Sequence, residues 1–158
     1  MKQIALLLVD DHEVVRTGLR SLLARDTRIQ IVGEAGTVAE AVRAARHFEP
    51  DVVLMDVRLP DGSGVVACRE IRAARPDTRV IMLTSYADDE AVFAAIMVGA
   101  VGYLLKQVRG QDLVQAIHAV AAGQSLLDPA VTGKVLARMQ RAASGMDADA
   151  PGDLSAQE

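Results

Sequence analysis

The run Ile4-Ala-Leu-Leu-Leu-Val9 carries no polar residue, and neither do Val52–Met55 and Val80–Leu83. A strand with one wet face alternates apolar and polar residues, whereas a strand covered on both faces reads as a continuous apolar run. These runs therefore call for a sheet with helices on both sides. Ile29–Glu34 and Gly102–Leu105 complete a set of five. The segments between them repeat apolar residues at helical spacing: Val15, Leu19, Leu22 and Leu23; then Val38, Ala41, Val42 and Ala45, opened by a Thr37/Glu40 capping box. Val65, Cys68 and Ile71 give a third stripe, Val92, Ala95 and Ile96 a fourth, and Leu113, Ile117, Val120 and Ala121 a fifth. Strands alternating with helices in this way predict an α/β fold with a doubly wound parallel sheet. Right-handed crossovers leave few topologies, and the flavodoxin-like (βα)5 order is the commonest at this size.

The polar residues that close the apolar runs carry the chemistry. Asp10 and Asp11 follow the first run, Asp56 the third, Thr84 the fourth and Lys106 the fifth. In a parallel sheet the carboxyl ends of the strands share one edge, and ligands bind there. Three carboxylates, a hydroxyl and an ammonium are expected to meet in one pocket. Mg²⁺ takes oxygen ligands and keeps several waters, so two or three carboxylates suffice to hold it. A carboxylate can also act as a nucleophile toward phosphorus, with a cation neutralising the equatorial oxygens. Taken singly, each acid also reads as a cap or turn residue, and Asp11 suits the N-cap of a helix over His12–Arg25. Capping accounts for neither Asp10 nor Asp56.

At 158 residues the chain favours one domain with additional segments. Its 51% hydrophobic and 24% charged residues suit a globular core. A net charge of −4, without a basic run, lacks the electrostatic footprint of a nucleic-acid binder. The single Cys68 excludes an intramolecular disulfide and a multi-cysteine metal site. The early apolar run is too short for a membrane helix or a signal-peptide core, so a soluble cytoplasmic protein is expected. After Gly123 the pattern changes. Asp128-Pro129 suits a helix start, with a Val131, Val135 and Met139 stripe, and Ser144–Asp153 reads as a linker. The expected organisation is a domain over 1–125, a linker helix over 126–143, a flexible linker over 144–153 and the opening of another domain at 154–158. The linker helix reads either as a plain tether or as a surface whose apolar stripe pairs with a second chain or docks, the second being the expectation.

Val9-Asp-Asp-His-Glu13, Met55-Asp-Val-Arg-Leu-Pro-Asp-Gly-Ser-Gly64, Leu83-Thr-Ser-Tyr86 and Gly99-Ala-Val-Gly-Tyr-Leu-Leu-Lys106 together resemble the receiver domain of two-component response regulators, with order and spacing kept over 1–125. Within that family the chain looks most like the nitrate-regulator-like branch with a LuxR-type helix-turn-helix output, and Leu154-Ser-Ala-Gln-Glu158 resembles the start of that output domain. The resemblance implies that Asp56 accepts a phosphoryl group from a sensor histidine kinase. It implies that Asp10, Asp11, Asp56 and the backbone carbonyl of Arg58 hold Mg²⁺. Thr84 would move toward the phosphoryl group, Lys106 would pair with it, and Tyr103 would change rotamer with Thr84. The implied consequence is homodimerisation and promoter-DNA binding through the output domain. The domain would turn over no separate substrate, acting only on itself. Many receivers carry Pro after the lysine; Gln107 stands there, implying a looser loop.

Other residues weigh less. Arg58 and Tyr86 lie two positions after Asp56 and Thr84, where bulk would slow attack by water, although both also read as plain surface residues. His12 is expected in the first helical turn without a metal role, His47 and His118 at exposed helix positions, and Cys68 against the sheet. Gly62 and Gly64 read as turn residues, since no P-loop spacing follows. Rival readings are a haloacid-dehalogenase-type phosphohydrolase, which expects Asp-x-Asp after its first strand, and a phosphate-independent interaction domain, which has no use for the acid–Thr–Lys set. A flavin carrier would need a phosphate loop after the first strand.

Overall fold

The computed structural model describes residues 3–85 and 89–126, together with 137, 140 and 141. Strands β1 (Ile4–Val9), β2 (Ile29–Ala35) and β3 (Val52–Asp56) alternate with helices α1 (Glu13–Leu23) and α2 (Val38–Phe48). A short hairpin, β4 (Arg58–Leu59) and β5 (Gly62–Ser63), leads into α3 (Gly64–Ala74). Then come β6 (Arg79–Thr84), α4 (Asp89–Met97), β7 (Gly102–Leu105) and α5 (Gly110–Ala121). The five long strands form one parallel sheet in the order β2-β1-β3-β6-β7, the flavodoxin-like arrangement.

The continuous apolar runs are explained by two cores, one on each face. Leu7, Val9, Val53, Met55, Val80 and Met82 point toward α2, α3 and α4, where Ala41, Ala45, Ala67, Cys68, Ile71 and Ala95 meet them. Their sequence neighbours Leu6, Leu8, Val52, Leu54 and Ile81 point the other way, onto Leu23 of α1 and Leu113, Ile117 and Val120 of α5. Successive strand side chains alternate faces, so a strand shared by two cores must be apolar at both parities. β3 lies at the centre with all five residues buried.

Some local expectations need correction. The helix expected over His12–Arg25 is confined to Glu13–Leu23, and its N-cap residue is His12. Asp11 does not cap it; the carboxylate of Asp10 accepts the His12 backbone N–H at 2.9 Å instead. His118 is half-buried, not exposed, and its ring lies 2.8 Å from Asp26. The Thr37 cap is present: its hydroxyl accepts the Glu40 N–H, while Glu40 accepts the N–H of Gly36.

Every element above belongs to the first of two units into which the chain divides, at Leu126/Leu127. The readings placed on Tyr86, on the linker helix, on 144–153 and on 154–158 lie outside the described residues, save that residues 137, 140 and 141 are helical and Leu126 bonds back to Val101. Among the described residues no helix is long and apolar enough to cross a membrane.

Candidate functional site

The sheet ends its strands on one edge, and the predicted residues meet there. Asp56 is the last residue of β3, the central strand. Asp10 follows the end of β1, next to β3 on one side, and Thr84 ends β6 on the other. Asp10, Asp56 and Thr84 are all buried. Lys106 follows β7, and its backbone N–H donates to the Thr84 carbonyl at 2.6 Å, fixing the end of the edge strand to its neighbour. From there its ammonium stands 2.8 Å from Asp10 Oδ2 and 3.2 Å from Asp56 Oδ2.

Ligand atoms of Asp10, Asp11, His12 and Asp56 all lie within 4.8 Å of one another. His12 Nδ1 is 2.9 Å from Asp10 Oδ1 and 3.0 Å from Asp11 Oδ1. The histidine therefore belongs to the cluster, a place that no sequence pattern marks. Oxygen-rich ligation of this kind suits a hard divalent cation.

The carboxylates are held in different electrostatic states. Burial pushes the Asp10 carboxyl up, but hydrogen bonds from Lys106 and from the His12 backbone and ring outweigh it and leave the pKa lowered. Asp56 goes the other way: burial, then the charge of Asp10, raise its pKa against the pull of Lys106. Burial disfavours the Lys106 ammonium, yet its bond to Asp10 and the charge of Asp56 carry its pKa above the ordinary value. One ammonium thus stands between two buried carboxylates that repel each other.

The hairpin after Asp56 is part of the frame. The Arg58 N–H points at Asp56 Oδ1 from 3.4 Å. Both oxygens of Asp61, at the hairpin tip, accept N–H groups of α2, from Val38 at 2.7 Å and Ala39 at 3.2 Å. These bonds hold the Asp61 carboxyl below its usual pKa. Ser63 caps α3 by accepting the Val65 N–H. Gly64 is more than a turn residue: a Cβ there would sit 2.0 Å from the Asp56 carbonyl oxygen. Tyr103 is half-buried on β7 and joins the core beneath α2, α3 and α4. Gln107 lies in a turn closed by the Val108 N–H on the Leu105 carbonyl.

Sequence reasoning missed Asp61 and a second group, Arg16 and Glu34. Arg16 donates to the Asp10 carbonyl and, at 3.1 Å, to Glu34. The Asp10–x–x–x–x–x–Arg16 spacing was the available signal, but it acquires meaning only once β2 delivers Glu34.

An acidic cluster at the carboxyl edge of a (βα)5 sheet, its two buried carboxylates bridged by a lysine, defines a class. Residues 6–118 match the response regulator receiver domain, and the chain belongs to that family. Such domains act through their own phosphorylation and dephosphorylation and are not enzymes with a separate substrate. The chain is 48% identical over 140 residues to the DNA-binding transcriptional activator DevR/DosR of Mycobacterium tuberculosis, covering 89% of this chain and 64% of that protein. It is 40% identical over 137 residues to the transcriptional regulatory protein LiaR of Bacillus subtilis, covering 87% and 65%. The chain thus spans about two thirds of the length of these relatives. The crystal structure of a LuxR-family two-component response regulator from Aurantimonas sp. SI85-9A1 superposes with a TM-score of 0.78 at 34% identity, covering 87% of this chain and 99% of that one.

Proposed function

We propose that this chain is the Mg²⁺-dependent phosphoryl-accepting module of a transcription regulator, with Asp56 as the acceptor. The observation that carries the reading is the placement of Lys106 between the buried carboxylates of Asp10 and Asp56. Asp10, Asp11, Asp56 and the Arg58 carbonyl would hold Mg²⁺, and the oxygen donors clustered within 4.8 Å fit such an ion. Bound there, Mg²⁺ would supply neutralising charge for the phosphoryl oxygens.

An oxygen of Asp56 forms the new bond to phosphorus while the bond to a sensor kinase's histidine nitrogen breaks, and that nitrogen keeps the bonding electron pair. Lys106, already at the Asp56 carboxylate, pairs with a phosphoryl oxygen. Thr84 at the end of β6 donates its hydroxyl to another, and Tyr103 on the adjacent strand follows it inward. Phosphate thereby favours the state in which these groups gather at the site. In the cytoplasm of its cell, that state would favour a homodimer that binds promoter DNA through an output domain. Under this reading residues 1–125 are the receiver, 126–143 a linker helix, 144–153 a flexible linker and 154–158 the opening of the output domain. Arg58 and Tyr86 would slow hydrolysis of the acyl phosphate.

Intact mass after incubation with acetyl phosphate and Mg²⁺ tests the assignment. One phosphoryl adduct is expected, absent in Asp56→Asn and absent when EDTA replaces Mg²⁺. An adduct that persists in Asp56→Asn places the acceptor elsewhere and refutes the reading.

A further inference from the structure

An extended chain sends consecutive side chains to opposite faces. Asp10 and Asp11 can serve one site only if the backbone leaves strand geometry between β1 and α1. The ladder to β2 does end there: Val9 is the last paired residue, and the Asp10 N–H makes one further bond to the Ala35 carbonyl at 3.0 Å. The Asp10 carbonyl is then beyond the ladder, in a residue that is 3% exposed. A buried carbonyl requires a donor, and Arg16 supplies it from α1.

The guanidinium is itself held. Its Nε donates to Glu34 Oε1 at 3.1 Å, and Arg20 donates to the other oxygen of Glu34. Glu34 sits on β2 opposite Leu8, so sheet register fixes its position. Gly36 lies alongside, where a Cβ would be in ordinary contact with Arg16 Nη1 at 3.4 Å. Every polar group of Asp10 is thereby engaged, its N–H by Ala35, its carbonyl by Arg16, and its carboxylate oxygens by His12 and Lys106.

We propose that Arg16, oriented by Glu34, is a positioning residue for the acidic pair: it fixes the turn from which Asp10 and Asp11 face the cation. The inference rests on the Mg²⁺-binding reading above. A plain ion-pair cluster would contribute little to stability and nothing to metal affinity. Groups that orient metal ligands change affinity by about 10- to 100-fold. Charge alone gives the opposite sign, since removing a cation near a dication tightens its binding.

The test is the Mg²⁺ dissociation constant, measured by calorimetry on metal-stripped protein, with melting temperature recorded in EDTA. Arg16→Met is expected to weaken Mg²⁺ by about tenfold or more, and Arg16→Lys, which lacks the planar fork, to recover part of it. Glu34→Gln should fall between wild type and Arg16→Met. Arg20→Met, which breaks only the outer bond to Glu34, should stay within about twofold of wild type. Unchanged or tighter binding in Arg16→Met overturns the proposal, as does equal weakening in Arg20→Met. If Arg16→Met gives no cooperative melt, Glu34→Gln decides, and wild-type affinity in that variant overturns the proposal. Wild type that binds no Mg²⁺ removes this inference and the functional reading together; wild type that binds alongside unaffected variants removes this inference alone.

Discussion

Alanine placed at Gly64 should damage the fold through the strand that ends in Asp56. Gly64 is buried at the start of α3, and its N–H donates to the Val57 carbonyl at 2.7 Å. An added Cβ would stand 2.0 Å from the Asp56 carbonyl oxygen, 2.8 Å from Met55 Cγ and 3.0 Å from the Asp56 carbonyl carbon. Ordinary contact begins at 3.4 Å, and two of these three atoms are backbone, so no rotamer change relieves them. Either β3 moves, carrying Asp56, or α3 moves and breaks the Gly64–Val57 bond and the Ser63 cap. Overpacking of this kind costs about 1–3 kcal/mol, and the backbone clash places Gly64→Ala at the upper end. The same substitution at Gly18 meets nothing within 4 Å inside α1 and should stabilise by about 0.5–1 kcal/mol, because alanine has the better helix propensity. With a urea slope of about 2 kcal/mol/M, Gly64→Ala should lower the unfolding midpoint by about 1 M or more, and Gly18→Ala should raise it by about 0.3 M. Acetyl phosphate labelling should fall in Gly64→Ala and be unchanged in Gly18→Ala. Equal midpoints for Gly64→Ala and wild type would refute the claim that α3 is seated directly on the backbone of Asp56.

Cys68 is fully buried between α3 and the sheet, and burial pushes its pKa up to about 11; a thiol reagent at pH 8 should react with it only as fast as the protein unfolds, and prompt labelling of native protein would contradict this. Thr37→Ala should cost about 1 kcal/mol by leaving the Glu40 N–H without its cap, read from the shift of the thermal midpoint. The hydrogen bond from His118, then that from the Arg28 N–H, holds the Asp26 carboxyl below its ordinary value of 3.8. That stabilisation is present above pH 3.8 and is lost as pH falls through the depressed value. Asp26→Asn should therefore be less stable than wild type by about 0.5 kcal/mol near neutrality, with the two converging in acid; a gap that widens in acid would show the sign to be wrong.

The strands and the edge that carries the site were legible because both follow from one rule. Residues such as Leu6 and Leu7 must both be apolar when helices cover both faces, and a parallel sheet gathers Asp10, Asp56, Thr84 and Lys106 by topology alone. Strand ends shifted by a residue, as at Asp56, because pairing with Leu83 decides where β3 stops, and that partner lies on another segment. The bonds of Asp61 to α2 and of His118 to Asp26 join groups 22 to 92 residues apart. No local pattern marks them, since each depends on where a loop lands. The contacts of His12 have no sequence signal for a related reason: a lone histidine has no sequence partner, and its ring meets two carboxylates only because the chain bends after Asp10.

Lys106 comes from the last strand in chain order, yet it stands between carboxylates supplied by the first and the third. A polypeptide leaves the ribosome from its amino end. A nascent or prematurely terminated chain that stops short of residue 106 has the acids but not the ammonium that holds them together. The pocket is therefore finished only when synthesis has passed the end of the sheet.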